Sequence, residues 1–212
     1  MNEKFSAYMA LLLEWNTKIN LTAITEPSEI VTKHFHDSLM CADSIPRGAN
    51  CVDVGTGAGF PGIPLKIERQ DISLTLMDAL GKRVSFLREV NARLSLGVSC
   101  VRIRAEDAGK DAQYREKFDV ALSRAVSRLA VLAEYCLPLV KPGGVMLAMK
   151  GQQVEDELKS AEGIIETLGG KVGGVRLYTL PGTDITHSLV TIHKISSTPC
   201  QYPRSSKKIS KL

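Results

Sequence analysis

The chain has 212 residues, 44% of them hydrophobic, which suits one domain with a small appendage. Four of its 27 basic residues (Arg204, Lys207, Lys208 and Lys211) fall in the last twelve positions, leaving 23 to balance the 23 acidic ones, so the net charge of +4 sits in a tail suited to phosphates. No run of about 18 apolar residues suggests a membrane span, and five scattered cysteines without a CxxC pair argue against a zinc site or disulfide scaffold and for free thiols in a reducing cytoplasm.

Residues 3 to about 15 carry Phe5, Met9, Leu12 and Leu13 at helical spacing. Glu3 and Glu14 flank them and no basic leader or cleavage site is present, so they predict an amphipathic helix rather than a signal peptide. "NLTAIT" (20–25) connects to a second helix over 27–42, with Pro27 in its first turn. Residues 1–48 thus form a helical extension, 49–198 the core and 199–212 a basic, disordered tail.

In the core, strands are predicted at 51–55, 72–78, 98–104, 118–124 and 144–150, with helices at 63–69, 82–96, 129–137 and 153–168. Near-continuous apolar strands alternating with helices predict an α/β fold with an open, doubly wound, mostly parallel sheet covered on both faces. "KVGGVRLYTL" and "SLVTIHKI", joined by "PGTDITH", predict a terminal antiparallel hairpin.

"VDVGTGAGFPGIPL" (52–65) places Gly55, Gly57 and Gly59 behind the first strand, where open parallel sheets bind ligands. A dinucleotide fingerprint would need glycine where Phe60 stands, and a phosphate loop would need lysine where Ile63 follows Gly62. S-adenosylmethionine remains, with a charged amino-acid end and a nucleoside end. Asp78, ending the second strand, can accept from both ribose hydroxyls, and Ala105 and Glu106, beside Arg104 and Asp107, can address adenine. Asp53 can offset the methionine ammonium directly or through water, and Phe60, in the glycine turn, can form a wall or simply pack in the core against a helix. Asp78 could instead cap the helix at Lys82, and Glu106 the "EDAGKD" turn. Arg124, ending the fourth strand, can bind a cofactor carboxylate or an RNA phosphate, or pair with an acid such as Asp119. Lys150 ends the fifth strand as an RNA candidate. No metal site is expected.

"NLTAIT", "HFHDSL", "DVGTGAGFPGIPLKI", "DALGKRVSFLREV", "SRAVS", "KPGG", "MKG" and "YPR" occur in order along nearly the whole chain. This set resembles the glucose-inhibited division protein B family, bacterial methyltransferases that make 7-methylguanosine in 16S ribosomal RNA. The resemblance implies a seven-stranded methyltransferase sheet and S-adenosylmethionine contacts at Gly55, Phe60, Ala105, Glu106 and Arg124. It also implies 16S ribosomal RNA or the small ribosomal subunit as partner, for which Arg104, Arg124, Lys150, Arg204, Lys207 and Lys208 are the candidate contacts. A cytoplasmic monomer without a membrane partner is expected. One departure is His187, where the family usually has arginine, and a neutral histidine would hold RNA less firmly.

Guanine N7 carries an in-plane lone pair, so no catalytic acid or base is expected and positioning falls to Arg124. His34 and His36, two apart on a helix, point to different sides and suit packing or polar contacts. Two other functions remain open: an RNA- or ribosome-binding protein with a methyltransferase-like fold, and a methyltransferase for another substrate.

Overall fold

The computed structural model describes residues 3–124 and 127–209; Lys211 of the tail and Ala125 and Val126 of "SRAVS" lie outside the described residues. Seven strands make one sheet: β1 (Asn50–Val54), β2 (Ser73–Asp78), β3 (Ser99–Arg102), β4 (Phe118–Arg124), β5 (Val140–Gly151), β6 (Gly170–Thr179) and β7 (Thr186–Lys194). Their order is β3-β2-β1-β4-β5-β7-β6. The pairs β1–β2, β1–β4, β2–β3 and β4–β5 are parallel, and β7 runs antiparallel to both β5 and β6, as the hairpin reading anticipates. Strands β1 and β4, buried along almost their whole length, show why their apolar runs do not alternate with polar residues.

The extension consists of α1 (Glu3–Asn16), α2 (Pro27–Ile30), a wider π turn (Val31–His36) and α3 (Asp37–Leu39). The expected single helix over 27–42 is therefore divided in its middle and ends three residues early. Next come α4 (Gly62–Glu68), α5 (Gly81–Leu94), α6 (Ala105–Ala108), α7 (Leu129–Cys136), α8 (Glu155–Thr167) and α9 (Ser206–Ile209). Helix α1 lies on α4 and α5, while α6, α7 and α8 pack in sequence elsewhere. Two apolar cores result, one containing Tyr8, Leu12 and Phe86, the other containing Leu132, Ala161 and Ile165. Full burial of a side chain such as Leu12 contributes about 1.5–3 kcal/mol, which fixes the extension to the core. Tyr8 adds direction, its hydroxyl donating to the Ala58 carbonyl in the glycine-rich turn at 2.5 Å.

The tail differs from its sequence reading. Thr198, Pro203 and Ile209 are buried, and Arg115 donates to the carbonyls of Gly109, Thr198, Pro199 and Tyr202. Arg204 forms a forked pair with Glu134, Nη2 to Oε2 at 2.6 Å and Nε to Oε1 at 3.0 Å, and its backbone N–H donates to the same carboxylate. Glu134 is wholly buried, so this arginine neutralises an interior charge. Apolar anchors and one satisfied carboxylate outweigh the basic composition: residues 198–204 are tied to Glu116, Leu168, Arg115 and Glu134, and 206–209 form α9, rather than being disordered. Among the described residues, no helix is long and apolar enough to cross a membrane.

Candidate active site

The carboxyl ends of β1, β2, β3 and β4 surround a cavity of about 480 Å³. Its floor is the turn after β1, where Gly55 and Gly57 have φ of +68° and +60°, a left-handed backbone that side chains strain to adopt. Gly57 N–H donates to Asp78 Oδ2 at 3.0 Å, and Leu80 N–H to Asp78 Oδ1 at 2.8 Å. Asp78 therefore joins the turn to the end of β2. It does not cap α5, which begins at Gly81 with Leu80 at the cap position. A carboxylate has about four acceptor positions, so Asp78 can also take hydroxyl donors. Arg83 lies 3.5 Å from it.

At the far end, α6 carries Ala105 and Glu106 into the cavity wall. Glu106 Oε1 is buried without a hydrogen-bond partner, and its nearest cation, Arg104 Nη1, stands 3.8 Å away. A buried acceptor left unsatisfied costs about 1–3 kcal/mol, and a ligand amino group would remove that cost. Tyr135, from α7, completes the wall beside it. Sequence reasoning missed Tyr135 because it comes from a helix with no motif of its own.

Two expected cofactor contacts do not line this cavity. Asp53 lies wholly buried beneath the turn, its Oδ2 accepting from Thr56 Oγ1 at 2.6 Å and from Gly62 N–H at 2.8 Å. Burial raises its pKa from 3.8 to about 6, against the lowering effect of those two donors. Gly59 is packed against α4 and α1: a side chain there would meet Ile63 and the Tyr8 hydroxyl. Both sit behind the turn, and Asp53 Oδ1 is buried without a hydrogen-bond partner among the described residues. Gly55, Gly57, Phe60, Asp78, Ala105, Glu106, Arg104 and Arg124 all line the cavity.

Arg124 is held from several sides. Nη1 donates to Asp37 Oδ2 at 2.7 Å and to the Lys33 carbonyl at 3.2 Å, and the guanidinium carbon sits 4.8 Å from the Phe60 ring centroid. The anticipated Asp119 pair does not form, because Asp119 accepts from Asn50 N–H and pairs with Lys141. His34 stacks on Phe60 with ring centroids 4.4 Å apart. Its Nδ1 lies 3.2 Å from Arg124 Nη2 and its Nε2 2.8 Å from Thr22 Oγ1. Arginine can only donate, so Nδ1 accepts and the proton resides on Nε2. Burial, with Arg124 close by, lowers the His34 pKa to about 4, so the ring is neutral at pH 7. His36 is exposed and apart from this group.

A second cavity, about 500 Å³, shares His34 and Arg124 with the first and extends to Ile24, Met149, Lys150, Ile185 and His187. Asp37 Oδ1 accepts from Tyr178 Oη and pairs with His187 Nδ1, both at 2.9 Å, so one buried carboxylate ties α3, β4, β6 and β7 together. His187 thus lies inside the start of β7. Asp37 and Tyr178 were absent from the sequence candidates, although "HFHDSL" contains Asp37.

The expected RNA contacts divide into two sets. Lys150 pairs with Glu157 at 2.7 Å and donates to the Ser127 carbonyl while lining the second cavity, and Arg204 is engaged by Glu134 and partly exposed. Arg104, Lys207 and Lys208 are exposed. Among the described residues, no group of three or more His, Cys, Asp or Glu could hold a metal ion.

Residues 1–180 match the model of the family described as GidB, rRNA small subunit methyltransferase G. A ribosomal RNA small subunit methyltransferase G from Alkaliphilus oremlandii is 53% identical over 207 residues, 96% of this chain and 87% of the relative. The protein of that name from Clostridium perfringens is 47% identical over 212 residues, 99% of this chain and 89% of the relative. Among solved structures, an O-methyltransferase from Bacillus cereus in complex with SAH matches with a TM-score of 0.61 and 17% identity, covering 89% of this chain and 91% of that one. TYW2 from M. jannaschii in complex with AdoMet matches with a TM-score of 0.60 and 13% identity, over 84% of this chain and 80% of that one. The two structures share the fold.

Proposed function

Because this chain belongs to the rRNA small subunit methyltransferase G family, an S-adenosylmethionine-dependent group, we propose that it methylates N7 of a guanine in 16S ribosomal RNA. When bound, S-adenosylmethionine supplies an electrophilic methyl group on a sulfonium. Asp78 and Glu106 would hold its nucleoside, and the backbone from Gly55 to Gly57 would leave room for it. Arg124, fixed by Asp37, orients groups at the junction of the cavities, while Phe60 and His34 exclude water there.

The family match over residues 1–180 carries the N7 reading, and it agrees with the wall shared by the two cavities. That wall consists of His34 and Arg124, and neither is set to take a proton: His34 Nδ1 faces an arginine donor and Nε2 donates to Thr22. A nucleophile with an available lone pair needs no such base. Mass spectrometry of small-subunit RNA from cells with and without the protein tests the reading. A 7-methylguanosine present only with the protein is expected, and an unchanged RNA would overturn it.

The sheet order, with β3 and β6 at its edges, supports an open, doubly wound arrangement. We divide the chain into extension (1–48), core (49–198) and tail (199–212). The protein acts as a cytoplasmic monomer on the small subunit or its RNA, with Arg104, Lys207 and Lys208 as outward contacts.

A further inference from the structure

Beside the cofactor cavity lies a third, of about 540 Å³, between the end of α1 and the start of α5. Lys18, Ile19 and Asn20 form one side, and Leu80, Lys82 and Arg83 the other. Three cations and no acid line it. Leu80 and Arg83 also line the cofactor cavity, so the two share a wall. Leu80 is 54% exposed, an unusual position for a leucine at the mouth of a site. Arg102, ending β3, extends the same rim: its guanidinium lies 3.4 Å from the point where a side chain on Gly81 would begin.

The charges here differ in how they are held. Lys18 pairs with Glu14, both well exposed, and Arg83 leans toward Asp78. Lys82 and Arg102 are exposed and form no ion pair among the described residues. Two unpaired cations beside a groove make a surface of uncompensated positive potential. The connection between α1 and α2 leads away from it. Lys18 to Asn20 border the third cavity, Leu21 and Thr22 the cofactor cavity and Ile24 the second. That path is rigid, since Asn16 Oδ1 accepts from the N–H groups of Leu21 and Thr22, and Asn16 Nδ2 donates to the Thr22 carbonyl.

We propose that the rim formed by Lys18, Lys82 and Arg102 around the exposed Leu80 is a docking surface for the phosphodiester backbone of the acceptor RNA. The strand then follows the α1–α2 connection toward the second cavity. This rests on ribosomal RNA being the acceptor. Phosphates on the rim neutralise Lys82 and Arg102, which form no ion pair among the described residues, with Lys18 beside them on Glu14, while the acids of the cofactor cavity, Asp78 and Glu106, stay covered by the cofactor. With Arg204 and Lys150 engaged by Glu134 and Glu157, the rim joins Arg104 in supplying positive charge at the mouth.

The test compares wild type with Lys82→Ala/Arg102→Ala in binding to small-subunit ribosomal RNA over a series of salt concentrations. Neither residue lines the cofactor cavity. Affinity at low salt should fall about tenfold, and the log–log salt slope should drop by roughly 1.4–1.8, from about 0.7–0.9 per lost phosphate contact. Cofactor affinity by calorimetry and the melting temperature should remain unchanged. Lys117→Ala/Lys171→Ala, an equal charge change at the opposite ends of the strands, should leave the slope near that of wild type. An unchanged slope in the first variant, or an equal drop in both, would overturn the surface. Methyl transfer by wild type to the same RNA separates that result from failure of the functional reading, in which wild type itself would transfer nothing.

Discussion

Asp37 and Arg124 meet at 2.7 Å with both side chains largely buried, one carried by the helical extension and the other by the end of β4. The pair fixes the guanidinium over Phe60, where the two cavities join. At saturating cofactor and RNA, Arg124→Ala should therefore lower the single-turnover rate about 100-fold, since a small displacement of reacting groups has that effect. Alanine at His34, His36 or Asp107 should reduce binding or stability and leave the chemical step nearly intact. The rate should also lack an ascending limb between about pH 5 and 8. Rapid-quench measurements check both. A loss of several orders of magnitude at His34 or His187 with binding intact would mean that the acceptor atom carries a proton.

Asp78→Ala should weaken cofactor binding strongly, because the carboxylate holds Gly57 and Leu80 as well as facing the cavity. Each lost charge-assisted hydrogen bond costs about 1.5–3 kcal/mol, or roughly 10- to 150-fold in affinity. Calorimetry showing affinity within twofold of wild type, with the melting temperature preserved, would remove Asp78 from the site.

Asp53 and His34 should oppose each other in the dependence of stability on pH. Asp53 titrates near 6 when folded, above its unfolded 3.8, so its contribution is present at low pH and is lost as pH rises through about 6. His34 titrates near 4, below its unfolded 6.5, so its contribution is present at neutral pH and is lost as pH falls toward 4. Each amounts to about 3 kcal/mol, and the windows overlap. In denaturant titrations from pH 4 to 6.5, His34→Gln should become relatively more stable on acidification, and Asp53→Asn relatively less. Variant profiles parallel to wild type would contradict both assignments.

Arg204→Ala should destabilise the fold by about 3 kcal/mol, because it leaves Glu134 buried without its cation. Adding Glu134→Gln should recover part of the loss. Chemical denaturation measures both, and an unchanged midpoint in the single variant would show that the tail contributes nothing to the fold.

The parallel sheet and the cofactor turn are legible in the sequence because their signals are local. Buried strands give unbroken apolar runs, and Asp78 and Glu106 follow their strands at fixed offsets. Asp37 and Tyr178 are not legible, since the partners of Asp37 lie 87 to 150 positions away and no local pattern marks a long-range ion pair. The surroundings of Asp53 are not legible either, for a related reason. Beside a glycine turn it reads as a ligand, but its side chain faces α4, where Gly62 N–H awaits it. In the tail, composition records the charges of Arg204, Lys207 and Lys208. It cannot record that Pro203 and Ile209 find room against the core.

The reversed direction of β7 gives the hairpin a task that no parallel strand could perform. Thr179 pairs with Thr186, and His187 with Gly151, so residues 180–185 turn at the edge where β5 ends. Ile185 from that turn and His187 from the start of β7 thereby line the second cavity, away from the glycine turn. The hairpin tip is a replaceable wall. Lengthening it would deepen the second cavity while the first keeps its geometry, so a graft at 181–184 is the place to reshape the second without disturbing the first.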